Sequence, residues 1–319
     1  MTTSNPNMPE PLVLRIKAWM DERFPMANAL LFFILYLVTA SVARADDWYL
    51  GWMDIAGCMV TWSLFLVIRI FDEHKDYELD VLNHPQRVLQ SGRITLTHLK
   101  ILGALAVVAQ VAFSLFLGLP VFWAWLLMFV YLCLMGAEFF CGEWLEKRLL
   151  IYALTHMAIM PLIVIWLAYL AAPNQVAAQL TESSLFSGAM LSMMALSFVS
   201  GFCFEITRKT RGPEEERDTV DSYTKILGIS GSVRLIQVLV LLMMSCQWSL
   251  LYFLPVSYGW VYALVLALPA FVALKSLQSF LKAPALAGRE KNEKAVALAM
   301  LLGYLVLIIA MAISSAGME

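Results

Sequence analysis

The sequence predicts an all-α, polytopic membrane protein with nine transmembrane helices. Of its 319 residues, 61% are hydrophobic and only 14% are charged, whereas a soluble domain of this size carries about 25% charged residues. Nine separate apolar runs are each long enough to cross a bilayer, which takes about 20 residues in a helix. Two long polar stretches, residues 72–96 and 205–230, follow the second and sixth runs. These observations exclude an ordinary soluble enzyme.

The predicted spans follow the apolar runs in chain order. They cover residues 26–43, 49–71, 97–118, 120–139, 150–172, 184–204, 232–254, 259–281 and 295–314. Before them, residues 12–24 predict a short interfacial helix,. We therefore divide the chain into an N-terminal cytoplasmic or interfacial segment, residues 1–25, and a transmembrane domain, residues 26–319.

Basic residues predict the orientation. If the nine spans alternate, every Lys and Arg except Arg44 lies on the side of the N-terminus and of the loops after spans 2, 4, 6 and 8, or at its membrane edge. Cytoplasmic loops carry such an excess, so we expect an inner-membrane protein whose long polar loops face the cytoplasm. The net charge of −2 gives no reason to expect a nucleic-acid partner,. Asp54, near the opposite end of span 2, is expected to reach interfacial water.

Three aspartates follow the second span at helical spacing. Asp72, Asp76 and Asp80 stand four residues apart, so on a continuous helix they would lie along one face. Like charges at this spacing destabilise a helix by about 0.2–0.5 kcal/mol per pair. Mg²⁺ would offset the repulsion, and it is often bound by one or two carboxylates plus substrate phosphates. The alternative is a solvated helix end in which Lys75 screens the acids.

The segment DEHKDYELDVLNHPQRVLQSGRI, residues 72–94, resembles the first motif of the UbiA superfamily of intramembrane prenyltransferases. That motif reads N-x-x-x-D-x-x-x-D and continues N-[K]-P-x-R-P-L-x-S-G-[R]-[I]. Asp76 and Asp80 fall on its two aspartates, and Asp72 replaces its asparagine. The downstream matches are Asn83, Pro85, Arg87, Leu89, Ser91, Gly92, Arg93 and Ile94; the departures are His84 and Val88.

The resemblance implies a fold and a chemistry. Family members bind an isoprenyl diphosphate through Mg²⁺ ions held by two acidic motifs, ionise its C–O bond and transfer the prenyl group to an acceptor, often aromatic. The implied fold is a nine-helix UbiA-like bundle with polar loops after helices 2 and 6. In the first motif the implied catalytic metal ligands are Asp72, Asp76 and Asp80, and the implied diphosphate ligands are Lys75, Arg87 and Arg93.

The second polar loop, residues 205–230, departs from the family pattern D-x-x-x-D. Glu205 occupies the first acidic position, as an implied catalytic metal ligand, but Lys209 stands at the second. In one interpretation a later glutamate supplies the missing ligand and nearby cations hold phosphates. The candidate metal ligands are then Glu214, Glu215 and Glu216, and the candidate phosphate ligands are Arg208, Lys209, Arg211 and Lys225. In the other interpretation the acidic run is a solvated, self-pairing loop, and Lys209 takes over part of the role of the metal ion.

Two further ionisable residues lie within apolar sequence, Glu138 in span 4 and His156 in span 5. Ionisable groups are expensive in a membrane and are often functional. His156 is either a general base for the acceptor or a satisfied core histidine.

Our leading hypothesis is an enzyme, a UbiA-like transferase of alkyl groups other than methyl. With Mg²⁺ as cofactor it would transfer a prenyl group from an isoprenyl diphosphate to a lipophilic acceptor, for instance an aromatic one, in the lipid bilayer. The first alternative is a UbiA-type membrane terpene cyclase, which the altered second motif favours. The other is a secondary transporter. Spans 2 and 6 each run into a carboxylate-rich loop, and this internal pseudo-repeat would suit that class,. Against it, the acids cluster outside the bilayer core.

Overall fold

The computed structural model describes residues 10–45, 47–183, 186–217 and 221–316. Its α-helices, in chain order, are α1 (Leu12–Arg23), α2 (Ala29–Ala43), α3 (Trp52–Lys75), α4 (Tyr77–Asn83), α5 (Leu96–Leu117), α6 (Leu119–Gly136), α7 (Gly142–Glu146), α8 (Leu149–Met157), α9 (Ile159–Ala171), α10 (Pro173–Ser183), α11 (Gly188–Arg208), α12 (Tyr223–Phe253), α13 (Gly259–Lys282) and α14 (Leu286–Ala316). Short 3₁₀ turns cover Met26–Asn28, Glu138–Phe140 and Pro213–Glu215. The predicted all-α class is confirmed.

Within the described ranges, nine helical segments are long and apolar enough to cross a membrane. They are Met26–Ala43, Trp52–Lys75, Leu96–Leu117, Leu119–Gly136, Leu149–Ala171, Gly188–Arg208, Tyr223–Phe253, Gly259–Lys282 and Leu286–Ala316. Each coincides with one predicted span, so the chain is an integral, multi-pass membrane protein. The helix predicted for residues 12–24 is α1. The first nine residues of the N-terminal segment lie outside the described part.

Serine caps fix the start of two long helices. The Ser187 side chain accepts a hydrogen bond from Met190 N at 3.2 Å and begins α11. Ser222 accepts from Lys225 N at 3.1 Å and begins α12. Such caps satisfy backbone donors that have no partner in the first turn. The first turns of α12 are broken from the rest at Gly228, whose φ of +68° and ψ of 166° suit glycine alone,.

The described chain forms two compact units. The first comprises Met1–Phe33 and Cys58–Phe113, and the second comprises Ile34–Gly57 and Ser114–Glu319.

In the first unit, α1 and the loop after α4 share one apolar core with α3. Its buried residues are Trp19, Phe24, Leu66, Ile70, Leu89, Ile94 and Leu99. Aromatic stacking extends this core, since the Phe32 and Phe65 rings lie 4.0 Å apart in nearly parallel planes. Ile70 lies just before the aspartates on α3, while Leu89 and Ile94 lie after them. The core therefore holds both ends of the acidic segment in place.

In the second unit, α11, α12, α13 and α14 pack on one another. Their core includes fully buried Ile206, Val240, Leu277 and Val296. A buried polar pair joins α13 to α14, where Ser276 Oγ donates to Asn292 Oδ1 at 2.7 Å. Helix α11, which ends at Arg208, is thereby anchored along its length.

One sequence-based expectation needs correction. Asp54 does not reach interfacial water: it is buried, and both of its carboxylate oxygens accept hydrogen bonds from Arg44 at 2.9 and 3.0 Å. Tyr36 Oη also donates to Asp54, at 2.9 Å. Arg44 in turn donates to the carbonyl of Ala171 at 2.8 Å. The basic residue that stood apart from the charge asymmetry thus has its charge neutralised within the second unit.

Candidate active site

The first acidic segment, residues 72–94, begins on a helix that bends but keeps its register. Helix α3 ends at Lys75, Asp76 sits at the bend with φ −91° and ψ 4°, and α4 follows. Asp76 N still donates to Asp72 O, and Asp80 N to Asp76 O, each at 2.9 Å. The three aspartates therefore remain one helical turn apart even though the helix is not continuous.

Cations engage the three aspartates unequally. Asp80 accepts from Arg87 Nη1 at 2.6 Å and from Arg23 Nη2 at 3.5 Å, and its side chain is only 14% exposed. Asp72 is 48% exposed and lies 3.9 Å from Arg69 Nη1. Asp80 is thus fixed by an arginine that the sequence assigned to diphosphate, while Asp72 is open to a ligand.

Asp76 holds its proton more tightly than an ordinary aspartate. Partial desolvation raises its pKa, and the like charges of Asp80 and Glu73 add to the effect against the opposing field of Lys75 and Arg23,. A divalent ion bound at Asp76 would relieve this repulsion, so the electrostatics of the segment favour a cation.

A buried glutamate that the sequence analysis did not single out supports the segment. Glu73 is 1% exposed and accepts from Arg23 Nε at 2.6 Å and from Arg69 Nε at 3.0 Å. Arg23 therefore bridges Glu73 and Asp80, which ties α1 to the aspartates. The only sequence signal was the spacing of Arg69 four residues before Glu73.

The other predicted diphosphate ligands of the first unit, Arg93 and Lys75, lie at its surface. Arg93 donates to both oxygens of Glu10, at 2.5 and 2.8 Å. This pair raises the pKa of Arg93 and lowers that of Glu10. Lys75, at the end of α3, is exposed. Arg93 would have to exchange a protein carboxylate for a phosphate in order to bind a diphosphate.

In the second polar loop, Glu205 is already bound by two cations. Lys209 Nζ lies 2.7 Å from one of its carboxylate oxygens, and Arg208 Nη2 lies 2.8 Å from the other. The Glu205 side chain is 17% exposed. The residue that replaces the family's second aspartate therefore forms an ion pair with the first acid.

The three later glutamates also have partners of their own. Glu214 accepts from Leu286 N at 2.5 Å, Glu215 from Arg289 Nε at 2.7 Å, and Glu216 from Ser222 Oγ at 2.6 Å. Hydrogen bonds from the backbone lower the pKa of Glu214. These acids serve to fold the loop onto the starts of α12 and α14.

A basic cavity of about 550 Å³ opens in this loop. Its lining residues are Arg208, Lys209, Arg211, Glu214, Glu215, Arg217, Leu286 and Arg289. Arg211 and Lys209, both predicted phosphate ligands, therefore share one cavity, together with Arg289, which the sequence analysis did not include. Lys225 does not line it and donates instead to the Arg217 carbonyl.

His156 and Glu138 lie in the second unit. The His156 ring stacks on Tyr152 with centroids 3.9 Å apart, and its Nδ1 lies 2.8 Å from the Tyr152 carbonyl. Glu138 begins a turn through Phe140 in which all three residues have positive φ. The two contacts of His156 hold its ring in place through Nδ1 and through stacking on Tyr152.

Solved structures provide the decisive comparison. A structure concerned with digeranylgeranylglyceryl phosphate synthase aligns with 93% of this chain and 99% of its own, at 18% identity and a TM-score of 0.65. A UbiA homolog from Aeropyrum pernix K1 aligns with 86% of this chain and 97% of its own, at 16% identity and a TM-score of 0.61. This chain has the UbiA fold. No protein-family model matches the sequence, and no curated protein matches it significantly.

The residues of the first acidic segment suit a magnesium ion whose coordination shell is completed by a phosphate. Mg²⁺ keeps octahedral geometry and is usually held by one or two carboxylates, with waters and phosphate oxygens filling the remaining positions. Asp72 and Asp76 can supply those carboxylates. Among the described residues, no group of three or more His, Cys, Asp or Glu could hold a metal by itself.

The second polar loop does not fit a metal. The oxygens of Glu205 are held by an ammonium and a guanidinium group. Four arginines and a lysine line the adjoining cavity. A divalent cation placed there would meet like charges and would have to displace existing ion pairs. The UbiA-like fold thus carries an acidic first segment and a basic second one.

Proposed function

We propose that this chain is a prenyltransferase that transfers a prenyl group from an isoprenyl diphosphate to a lipophilic acceptor in the membrane. The observation that supports the proposal most directly is the triplet Asp72, Asp76 and Asp80, kept one turn apart on a UbiA fold. We further propose that Mg²⁺ is the cofactor and that the long polar loops face the cytoplasm.

The proposed reaction breaks the C–O bond between the prenyl group and its diphosphate. The electron pair leaves with pyrophosphate, the allylic cation is attacked by a nucleophilic atom of the acceptor, and the acceptor loses a proton. Bound Mg²⁺ would neutralise charge on the departing diphosphate. Asp72 and Asp76 would hold the ion, and Asp80 would keep Arg87 close to them.

The test is release of pyrophosphate from purified protein in lipid nanodiscs, with geranyl and farnesyl diphosphate as substrates. Wild type should release it with Mg²⁺ and should stop when EDTA is added. Asp76→Asn should lower the rate by about 10²-fold or more, since removing transition-state charge stabilisation commonly costs that much. Asp21→Asn, which removes an exposed carboxylate of α1, is the matched control and should retain the rate. An Asp76→Asn variant as fast as wild type would refute the proposal.

A membrane terpene cyclase of the same fold is the second candidate. The ion pair between Glu205 and Lys209 favours it, because the second motif differs from that of the transferases. In a cyclase a double bond of the substrate attacks the allylic cation and closes a ring, and the new carbocation then loses a proton or is captured by water, so no acceptor is consumed. A cyclic hydrocarbon or alcohol formed without an acceptor would support the cyclase, and product formation that depends on added lipid extract would support the transferase.

A further inference from the structure

The second polar loop has the charge of an anion site. Its cavity is lined by five basic residues against two acidic ones. Glu215 pairs with Arg289, which is itself one of the five basic residues, and Glu214 accepts from Leu286 N. The cavity therefore presents a net positive lining to whatever enters it.

Two of these basic residues, Lys209 and Arg211, have their backbone held in place by hydrogen bonds. Arg211 N donates to Thr224 Oγ1 at 2.8 Å, and Thr224 Oγ1 donates back to the Arg211 carbonyl at 3.1 Å. Tyr223 N donates to the Lys209 carbonyl at 3.2 Å. These bonds pin the backbone of residues 209–211 to the capped start of α12, so the points from which the Lys209 and Arg211 side chains extend are fixed before any ligand arrives.

Arg211 retains hydrogen-bonding capacity. Its Nη1 is buried and has no hydrogen-bond partner among the residues that the structure describes. A guanidinium group offers donors in a planar fork that matches phosphate oxygens. A buried donor of this kind gains most from an anionic acceptor, since leaving it unpaired is costly.

We infer that the second polar loop binds a diphosphate directly through Lys209, Arg211 and Arg289 and holds no metal ion. Lys209 provides a covalently attached cation where the UbiA motif has its second aspartate, and its pairing with Glu205 removes that carboxylate from metal binding. Arg211 then supplies hydrogen bonds to phosphate oxygens, and Arg289, which pairs with Glu215 and Glu293, adds positive charge to the site. The inference rests on the proposed function only for the identity of the anion as a diphosphate.

The first experiment measures binding of inorganic pyrophosphate by calorimetry to the full-length protein in nanodiscs, in EDTA. Wild type should bind without a divalent ion. Arg211→Ala and Lys209→Gln should each weaken binding by about tenfold or more, as expected for a lost hydrogen bond to a charged group. Arg211→Lys, which keeps the charge but loses the fork, should fall between them and wild type. Lys291→Ala, an exposed residue of α14 that does not line the cavity, should change affinity less than twofold.

Absence of pyrophosphate binding in EDTA would overturn the inference, as would equal losses in Arg211→Ala and Lys291→Ala. The outcome is separable from that of the proposed function. Protein that releases pyrophosphate from farnesyl diphosphate with Mg²⁺ but does not bind it in EDTA would refute only the metal-free loop. Protein that binds pyrophosphate in EDTA but turns over no prenyl diphosphate would refute only the proposed function.

The second experiment counts Mn²⁺ ions by electron paramagnetic resonance in the presence of pyrophosphate. Glu205→Gln should leave the number of bound ions unchanged, while Asp76→Asn should reduce it. Lys209→Asp, which restores the two-acid pattern, should add one ion. Loss of an ion in Glu205→Gln would show that the loop holds a metal after all.

Discussion

The buried ion pair between Arg44 and Asp54 gives the sharpest prediction about stability. Both residues are at most 5% exposed, and the guanidinium donates to two carboxylate oxygens, to the Ala171 carbonyl and to the Tyr49 carbonyl. Arg44→Met keeps much of the apolar stem but removes every one of these donors. Asp54 would then be a buried carboxylate with only Tyr36 Oη and Gly51 N as donors.

The size of the effect follows from these contacts. Removing one partner of a buried ion pair costs about 3–5 kcal/mol, because the other charge stays buried without compensation. The Ala171 carbonyl at the end of α9 loses its side-chain donors as well, which costs about 1–3 kcal/mol more if water cannot replace them. We therefore expect Arg44→Met to lower the free energy of unfolding by about 4 kcal/mol or more.

The double variant Arg44→Met/Asp54→Leu distinguishes a lost pair from lost packing. With both charges gone no group is left uncompensated, so the double variant should be more stable than Arg44→Met alone. The pair should show a coupling energy of about 2 kcal/mol or more in the double-mutant cycle. Lys282→Met is the matched control, because Lys282 is an exposed basic residue of the same unit, and it should change stability by less than about 0.5 kcal/mol.

Unfolding in mixed detergent micelles, followed by tryptophan fluorescence against denaturant concentration, measures these free energies. Additive losses in the cycle would refute the reasoning, since they would mean that Arg44 and Asp54 do not interact. A loss below about 1 kcal/mol for Arg44→Met would do the same, because that is the value of an exposed pair.

Three further predictions follow from the described contacts. Because desolvation and the charges of Asp80 and Glu73 raise the pKa of Asp76, protons should compete with Mn²⁺ at a pH above the ordinary aspartate range. Titrations by electron paramagnetic resonance should show the affinity for Mn²⁺ falling as the pH is lowered, and Asp76→Asn should remove this pH dependence. Gly228→Ala should destabilise the fold by about 1–3 kcal/mol through its backbone alone, because its added Cβ meets no atom within 4 Å; chemical unfolding measures the loss. Arg23→Ala should cost about 1–3 kcal/mol by leaving Glu73 short of a donor, and adding Glu73→Gln should recover part of it in the same assay; a further loss would contradict this.

The spans were predictable because crossing a membrane imposes a local requirement on composition. A helix of about 20 apolar residues is visible in the sequence whatever its neighbours are, and the nine predicted runs match nine helices of the described chain. The largest shifts occur at the seventh and ninth spans, which begin at Tyr223 and Leu286 rather than at residues 232 and 295. Polar turns precede the apolar run in both helices, and a hydropathy pattern cannot show that those turns continue as helix.

The ion-pair partners of the charged residues could not be predicted, because these pairs join residues that are distant in sequence. The Arg23 and Glu73 side chains meet across 50 positions, and Glu215 meets Arg289 across 74. The sequence showed which acids stood at motif positions but not which cations had already neutralised them. For the same reason Arg44 stood out only as an exception to the charge asymmetry, and the structure gives it a buried partner.

The two polar segments, each taken by itself, answer one electrostatic problem in different ways. A departing pyrophosphate needs positive charge near it, from whatever source. In the first segment Arg87 and Arg23 neutralise Asp80, while Asp72 is half exposed and Asp76 lies beside the like charges of Asp80 and Glu73, so that these two can recruit a divalent ion. In the second loop, Lys209 already satisfies Glu205, and the surplus there is positive. An ion recruited from solution is lost to chelators, whereas a lysine is not. Under the proposed function, EDTA should therefore abolish turnover while leaving part of the affinity for pyrophosphate in place. If EDTA removed both the turnover and the affinity for pyrophosphate, the basic loop would not bind the anion without a metal ion.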